Sequence, residues 1–289
     1  MHDDDTFVAE RPRLLGLAYR MLGEVGAAED ILQEAWVRWQ RAEGVRNPAA
    51  WLTTVVTRLC LDEVGSARAR RETYVGPWLP EPVPTPADRV PGELAESLTM
   101  AFVVLLQRLT PPQRAAFLLR EVFEFDHSYV ADVLDTTRDN ARQLAARARK
   151  FVAAERPRFD PPGPEVDQLT ARFGVACLTG DLDGLVALLA EDATVWSDGG
   201  GKVLASLRPI TGASRAARFL IGVTRMDPDG LPQPGWFNGQ PGALLLRDGQ
   251  PESVVLLDIV GGRITGVRIV RNPDKLAHLT GEGAARAVD

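Results

Sequence analysis

Two proline-rich segments most constrain the fold, because proline inside a helix removes a backbone donor and clashes with the preceding turn. The first, Glu72–Ala95, contains six prolines, and the second, Pro157–Pro164, contains four. Neither segment can continue a regular helix, and the longer one favours an extended, semi-stiff connector. The 289 residues are therefore predicted to fold as three blocks, at 1–71, 96–156 and 165–289, joined by linkers at 72–95 and 157–164.

The first block is predicted to be helical throughout. Its second helix has apolar residues at three- and four-residue spacing, which predicts one buried stripe: Ile31, Leu32, Ala35, Trp36 and Trp39. Polar residues fall on the opposite side. Asn47-Pro48 is a typical N-cap with a first-turn proline, and it predicts a long helix that ends near the basic cluster Arg68–Arg71.

The second block has the outline of a helix-turn-helix. A short helix is predicted over Ser128–Leu134, a polar break over Asp135–Thr137, and a longer helix from Arg138 to about Ala153. The longer helix has one small apolar face and one face rich in Arg, which could lie in a major groove of DNA. The pattern alone also fits an ordinary amphipathic helix.

The third block changes from helical to β-like patterns. Helices are predicted over Glu165–Cys177 and Leu182–Leu189, followed by strands at 194–197, 243–246, 253–260 and 264–270. Gly261-Gly262 is a strong hairpin signal between the last two strands. Helices followed by an antiparallel sheet favour an α+β domain with a concave face.

Net charge does not exclude nucleic-acid binding. The formal charge is −6, yet Arg138–Arg158 contains seven basic residues, and phosphate binding needs a basic face rather than a basic protein. The three histidines and two cysteines show no metal-ligand spacing, so neither a metal nor a cofactor is expected. The acidic start, the short apolar runs and the two separated cysteines favour a cytoplasmic protein without a membrane partner.

Segments 1–71 and 96–156 resemble regions 2 and 4 of extracytoplasmic-function sigma factors, the promoter-reading subunits of bacterial RNA polymerase. The resemblance rests on Ala28–Trp36, which is similar to the family's D-x-x-Q-E helix, on Trp51-Leu52 followed by Arg58 and Asp62, and on Leu109–Arg114 opening region 4. Asn140–Arg149 lies where the family usually has V-K-S-R-L-x-R-A-R. His127-Ser128 and Asp132 depart from the usual helix-turn-helix pattern.

Three further segments resemble signatures of one subgroup, to which SigJ-type sigma factors belong: Trp78–Pro82, Asp198–Lys202 and Asn272–Leu276. That subgroup carries a SnoaL-like C-terminal extension. The resemblance therefore implies a multidomain chain: two all-α sigma domains, the second a helix-turn-helix, followed by an α+β SnoaL-like cone of the nuclear transport factor 2 type. It also implies that the extension regulates the sigma domains.

The resemblance assigns a role to each candidate residue. The polymerase contacts are expected at Asp30, Gln33 and Glu34. The −10 contacts are expected at Arg58, Arg68, Arg70 and Arg71. The −35 contacts are expected at Thr137, Arg138, Arg142, Gln143 and Arg149, with Thr137 also able to cap its helix. The regulatory interface is expected at Trp78, Pro80, Glu81, Asp198, Gly200, Lys202, Asn272, Pro273, Asp274, Lys275 and Leu276.

The sequence therefore predicts a sigma factor, monomeric when free, whose partners are core RNA polymerase and promoter DNA and whose C-terminal domain touches the linker or sigma domains. No catalytic chemistry of its own is expected. Two alternatives stay open. One is a polymerase-independent helix-turn-helix regulator with a ligand-sensing domain. The other is a SnoaL-type enzyme fused to a DNA-binding module, with Asp192, Asp198 and His278 as the polar candidates.

Overall fold

The computed structural model of the protein describes residues 4–85, 98–155, 159–226 and 231–279, without the side chains of residues 4, 66–72 and 231. The chain divides into two compact units. The helical unit contains residues 1–73 and 102–156, and the C-terminal unit contains residues 74–101 and 157–289. The two predicted sigma domains thus share one unit, whereas the proline-rich linker belongs to the unit of the third block.

The helical unit contains seven helices among its described residues. They are α1 (Asp4–Leu22), α2 (Val25–Arg41), α3 (Pro48–Glu72), α4 (Met100–Gln107), α5 (Pro111–Phe117), α6 (His127–Val133) and α7 (Arg138–Glu155), with a π-helical turn at Leu118–Val122. The first two residues of α4 belong to the C-terminal unit. Helix α5 begins with a capping box, in which the side chains of Thr110 and Gln113 each pair with the other's backbone N–H.

The helix-turn-helix forms where the sequence predicts it. Asp126 caps α6 by accepting hydrogen bonds from the backbone N–H groups of Ser128 and Tyr129, both at 2.8 Å. This cap explains why α6 begins at His127, one residue earlier than predicted. Asp135 adopts a left-handed conformation (φ 49°) in the turn, a conformation that Asp tolerates better than most residues.

The C-terminal unit is an α+β domain. Its described elements are α8 (Pro164–Thr179), α9 (Leu182–Leu188), β1 (Leu189–Asp198), β2 (Ile210–Thr211), α10 (Ala213–Met226), β3 (Leu231–Phe237), β4 (Gln240–Arg247), β5 (Gln250–Val260), β6 (Arg263–Val270) and α11 (Pro273–Leu276), followed by a 3₁₀ turn at Ala277–Leu279. The six strands form one sheet in the order β2-β1-β6-β5-β4-β3. Elements β2, α10 and β3 were not predicted from the sequence.

The prediction of an antiparallel sheet is wrong at one position, because β1 and β6 pair in parallel. Parallel neighbours need a long crossover connection, and the 64 residues between these strands, including α10, supply it. Helices α8, α9 and α10 cover the sheet through one continuous apolar core. Its members include Phe173, Leu185, Leu220, Leu257 and Val267.

Candidate nucleic-acid interface and linker contacts

Helix α7 presents the predicted −35 residues to solvent. Arg138, Arg142, Gln143 and Arg149 are all exposed, while Ala141, Ala145, Ala148 and Val152 on the other side are buried. Thr137 caps the helix as predicted, because its Oγ1 accepts a hydrogen bond from the Asn140 N–H at 3.2 Å. Two of these arginines lie near carboxylates of described residues: Arg142 lies 3.3 Å from Asp139, and Arg149 lies 3.6 Å from Glu121.

The position of α7 is fixed by a small apolar cluster beneath it. Val130, Ala131 and Val133 of α6 pack with Ala141 and Ala145 of α7 in this cluster. Phe125 stacks on Tyr129 at 4.1 Å between ring centroids and extends the same packing. Small alanines at the contact let the two helices approach closely, and this packing sets the position of the basic face of α7.

Arg58, a predicted −10 contact, is hydrogen-bonded to the helix-turn-helix in this structure. Its guanidinium donates to the carbonyl oxygens of Asp132 at 2.7 Å and Val133 at 3.1 Å. These carbonyls lie at the C-terminal end of α6, where the helix dipole favours a cation. The side chains of the other predicted −10 residues, Arg68, Arg70 and Arg71, lie outside the described part of the structure.

Two further polar contacts join α1 and α3 to the helices of the second block. The Tyr129 hydroxyl donates to the Ala50 carbonyl at 2.6 Å and lies 3.0 Å from Thr54 Oγ1. Arg114 is 2% exposed and donates to the carbonyl of Met21, at the end of α1, and to that of Leu106. Buried charge satisfied by carbonyls in this way is costly to separate.

The predicted polymerase-binding residues Asp30, Gln33 and Glu34 are exposed on α2. Glu34 pairs with Arg38 at 2.9 Å. The prediction that Trp36 is buried is wrong, because Trp36 is 42% exposed whereas Trp39 is 1% exposed. At 100° per residue, Trp36 lies about 80° from the middle of the buried stripe, which places it at the margin beside Gln33.

A buried polar cluster of the C-terminal unit joins the linker to the domain. Asp198 is fully buried and pairs with Lys275 at 2.7 Å. The same carboxylate accepts hydrogen bonds from the Tyr74 hydroxyl at 2.5 Å and the Leu79 N–H at 2.8 Å. The Lys275 ammonium also donates to the Leu79 carbonyl and lies 4.7 Å from the Tyr74 ring and 4.5 Å from the Trp78 ring. We call this cluster the Asp198–Lys275 clasp.

The linker side chains Tyr74 and Trp78 stabilise the two charges of the clasp. Burial and the hydrogen bond to Asp198 raise the pKa of the Tyr74 phenol far above its usual value, so the hydroxyl stays protonated and donates. The aromatic faces of Tyr74 and Trp78 stabilise the Lys275 cation where water is excluded. The clasp therefore fixes Tyr74–Leu79 of the linker on the domain.

The other predicted interface residues surround the clasp. Asn272 caps α11 by accepting from the Asp274 N–H, and its amide donates to the Tyr74 hydroxyl at 2.9 Å. Gly200 has a φ of +60°, and a Cβ there would collide with Asn272 and the Tyr74 hydroxyl. Lys202 and Asp274 form an exposed ion pair. Of the remaining predicted residues, Pro80 and Leu276 are buried, Glu81 is half-buried, and Pro273 is exposed.

The sequence reasoning missed the second place where the linker meets the domain. The β3–β4 turn, Asn238-Gly239, and the first residue of β4, Gln240, bond to linker residues before segment 86–97 and to the start of the second block after it. Asn-Gly between two apolar runs is the strongest short-range hairpin signal, and it would have located this turn. The Asn-Gly signal would not have identified the residues that this turn contacts, Val83, Thr85, Leu98 and Met100.

The candidates for catalysis do not form an acid–base pair. Asp198 is committed to the clasp, His278 bonds the Pro82 carbonyl at 2.7 Å, and Asp192 is exposed on β1. An open depression of about 630 Å³ at the start of α10 is lined by other residues.

The two cysteines are buried or partly buried. Burial raises the pKa of the Cys60 thiol, and it raises that of the Cys177 thiol to about 12. Since the thiolate is the reactive form, neither environment favours a redox sensor.

None of the described helices combines the length and the apolar character that crossing a membrane requires.

Comparison with known families places two matches on the helical blocks. The family "Sigma-70 region 2" matches residues 6–70, and "Sigma-70, region 4" matches residues 99–152. The second match contains the complete helix-turn-helix.

Relatives of nearly full length extend the comparison to the C-terminal unit. The ECF RNA polymerase sigma factor SigJ of Mycobacterium tuberculosis is 40% identical over 93% of this chain and 91% of its own length. The probable ECF RNA polymerase sigma factor SigI of the same species is 31% identical over 95% and 94%. The crystal structure of SigJ superposes with a TM-score of 0.77 at 36% identity, covering 95% of this chain and 98% of SigJ.

Proposed function

Since the chain belongs to the extracytoplasmic-function sigma factors of RNA polymerase, we propose which surfaces carry that function and how its C-terminal unit regulates it. Helix α7 reads the −35 element, the exposed face of α2 binds core polymerase, and the end of α3 with Arg58, Arg68, Arg70 and Arg71 contacts the −10 element. The chain supplies recognition and helps melting, and the polymerase makes the RNA. We place it in the cytoplasm, as a monomer before it joins the polymerase.

The single observation that carries this proposal is the exposed basic face of α7, whose opposite face packs on α6. Arg142 and Gln143 are exposed on a helix whose opposite face is buried in the domain. Arg pairs with the edge of guanine and Gln with that of adenine, so these side chains suit direct readout in the major groove. We assign Thr137, Arg138 and Arg149 to phosphate contacts, which would orient the helix without reading sequence.

The polymerase surface is proposed to include Trp36. Asp30, Gln33 and Glu34 supply polar contacts, but an exposed tryptophan beside them supplies the larger part of the contact energy in many protein interfaces. Trp36 was expected in the core but is 42% exposed, so a partner docked on the face of Asp30, Gln33 and Glu34 would bury its ring.

Promoter binding requires the helical unit to open. The −10 and −35 elements lie about 25 base pairs apart by their names, or about 85 Å at about 3.4 Å per base pair. A compact body of about 130 residues has a radius of gyration of only about 14 Å. While Arg58 is held by α6, α3 and α7 stay in one compact unit and cannot reach both elements. We therefore propose that polymerase binding separates them and frees Arg58 for DNA.

The C-terminal unit is proposed to regulate this opening through the linker. The Asp198–Lys275 clasp holds the chain immediately after region 2, so the linker residues that could extend between the sigma regions are retained on the domain. Any influence that weakens the clasp would lengthen the free linker and shift the population toward extended arrangements.

The test is binding to purified core polymerase. The full-length protein should bind at nanomolar to micromolar concentration, and a Gln33→Ala/Glu34→Ala variant should bind more weakly, while Arg218→Ala, which removes an exposed charge from α10, should bind like wild type. A chain that binds promoter DNA but shows no affinity for core polymerase would contradict the proposal and favour a polymerase-independent regulator.

A further inference from the structure

The turn between β3 and β4 contacts the chain on both sides of segment 86–97: the linker before the segment and the start of region 4 after it. Before the segment, Asn238 Oδ1 accepts from the Val83 N–H at 2.9 Å, and the Asn238 N–H donates to the Val83 carbonyl at 2.7 Å. The Thr85 N–H donates to the Trp236 carbonyl at 2.9 Å, and Thr85 Oγ1 accepts from the Gly239 N–H at 2.8 Å. The linker thus adds a short piece of extended chain to the hairpin.

After the segment, the same turn holds the start of region 4. The Asn238 amide donates to the Leu98 carbonyl at 3.1 Å, and Gln240 Oε1 accepts from the Met100 N–H at 2.8 Å. Met100 is the first residue of α4, so its N–H has no partner within the helix. Gln240 therefore acts as a cap supplied from another part of the chain. We call Asn238, Gly239 and Gln240 the hairpin clamp.

The orientation of both amides is fixed by their partners. The oxygen of Asn238 faces an N–H and its nitrogen faces a carbonyl, and a flipped amide would lose both bonds. Gln240 Nε2 donates to Asp258 Oδ1 at 2.6 Å, and Asp258 pairs with Arg268 at 2.8 Å inside the domain. Asn238 is fully buried and Gln240 is 2% exposed, so these bonds form away from water, where losing one leaves a costly unsatisfied group.

The clamp determines how much of the linker can extend. The chain leaves the turn at Thr85 and returns to it at Leu98, so the residues between contribute nothing to the distance between the sigma regions while the clamp holds. Released, these twelve residues could span up to about 40 Å. One base pair of promoter spacing changes the required distance by only about 3.4 Å.

We infer that the hairpin clamp is a positioning element: by fixing the start of region 4 on the C-terminal unit, it narrows the range of −10/−35 spacings that the protein accepts. Asn238 and Gln240 are its positioning residues, and Thr85 is a linker residue that the clamp holds through the Gly239 N–H. The inference rests on the proposed sigma-factor surfaces, because spacing matters only to a protein that reads both elements. It adds a specificity role to a turn that lies outside both sigma regions.

The variants are chosen so that the domain still folds. Asn238 has a φ of 55°, which glycine adopts freely, so Asn238→Gly removes both side-chain bonds and keeps the turn. Gln240→Met keeps the length of the side chain and removes the cap. Asp248→Gly is the matched control, because Asp248 has a φ of 51° in the turn at the other end of β4.

The first measurement is hydrogen exchange of the full-length protein without polymerase. The Met100 amide should exchange about tenfold faster or more in Gln240→Met, and peptides 83–85 and 98–101 should exchange faster in Asn238→Gly. Peptides from β1 and β6 should be unchanged, which shows that the sheet is intact. Unchanged exchange at Val83, Thr85 and Met100 in a folded variant would overturn the clamp itself.

The second measurement is run-off transcription with core polymerase from promoters whose spacer varies in single base-pair steps, using −10 and −35 sequences selected with the wild-type protein. When the spacer differs from the best length by two base pairs, the transcript yield should fall about tenfold for wild type and Asp248→Gly. For Asn238→Gly it should fall less than about threefold. Faster exchange with an unchanged spacing profile would overturn the positioning role alone. A wild-type protein that yields no polymerase-dependent transcript would contradict the proposed function and the spacing role together, while the exchange result would still stand.

Discussion

The basic face of α7 and the Asp198–Lys275 clasp both contain an ion pair, but the pair on α7 is exposed and the pair in the clasp is buried. On α7, Arg142 and Asp139 lie 3.3 Å apart with side chains 66% and 82% exposed. In the clasp, Lys275 and Asp198 lie 2.7 Å apart with side chains 6% and 0% exposed. Exposed pairs contribute little to stability and exchange partners readily, whereas a buried pair is costly to break. The comparison separates residues kept for an external partner from residues that hold the chain in place.

The largest effect is expected from Lys275→Met, which leaves the Asp198 carboxylate buried without its cation. Breaking a buried pair from one side costs about 3–5 kcal/mol. The Leu79 amide, which donates to Asp198, should lose most of its protection in hydrogen exchange. Lys202→Met is the matched control, since it breaks an exposed pair with the neighbouring Asp274. Equal loss of protection in both variants would show that burial does not distinguish the two pairs.

Arg142→Ala tests the exposed side of the comparison. Promoter binding should weaken by about 1–3 kcal/mol, or roughly five- to 150-fold, if the guanidinium reads a base. The melting temperature should not change, because the side chain is exposed and only weakly paired. Fluorescence anisotropy with −35 DNA in the polymerase complex measures the affinity. A variant with unaltered affinity and footprint would reject the assignment.

Trp36→Ala and Trp39→Ala extend the comparison to apolar side chains on one helix. The first should weaken core-polymerase binding by about 1–2 kcal/mol and leave the fold intact. The second removes a side chain that is 1% exposed and whose ring lies 5.6 Å from that of Trp51, and it should destabilise the helical unit by about 3–5 kcal/mol. Polymerase affinity and urea denaturation measure the two effects. Normal polymerase binding by Trp36→Ala would remove it from the interface.

Arg58→Ala should have a smaller effect, about 1 kcal/mol, on the closed form of the helical unit, because its hydrogen bonds lie at the surface. Energy transfer between dyes at Val8→Cys and Ala146→Cys, in a Cys177→Ser background, measures the separation of α1 and α7 within this unit. Lower transfer is expected in Arg58→Ala, and in wild type after polymerase is added. Constant transfer through polymerase binding would contradict the opening of the unit.

The smallest effect concerns pH. Burial lowers the pKa of His278 below its usual 6.5, so the folded state binds its proton less readily than the unfolded state. The stability contributed by neutral His278 is present above pH 6.5 and is lost as pH falls toward the lowered pKa. Intrinsic amide exchange slows as pH falls from 7 to 6, and exchange at the Val83 amide should therefore slow less than intrinsic exchange predicts. His278→Gln should remove that difference, and an identical pH response in both proteins would argue against it.

Local patterns predicted most helices of the helical unit and which side of α7 is exposed. The cap at Thr137, the turn at 134–137 and the buried alanines of α7 follow from three- and four-residue spacing and from short-range capping. Trp36 was misplaced because it lies at the margin of the stripe, where spacing alone cannot decide exposure. The C-terminal sheet was predicted only in part, since Leu231–Phe237 contains two prolines and a glycine that disguise a strand.

Long-range partners were the part that sequence could not supply. Asp198 and Lys275 were singled out by resemblance, but their pairing with Tyr74 and Leu79 depends on contacts across more than a hundred residues. Arg58 was predicted to meet DNA, and its contact with the end of α6 is equally non-local. Asn238 and Gln240 carry no unusual local pattern beyond an Asn-Gly turn, because their importance comes from the linker that passes them.

The most direct test of the central claim, that the exposed basic face of α7 serves a promoter-reading subunit, is run-off transcription with core RNA polymerase. Wild-type protein should produce a transcript that starts at a fixed distance from the −10 and −35 elements. Arg142→Ala/Gln143→Ala should reduce it at least tenfold, and Arg218→Ala should leave it unchanged. Transcription independent of the added protein, or equal activity in all three, would contradict the account.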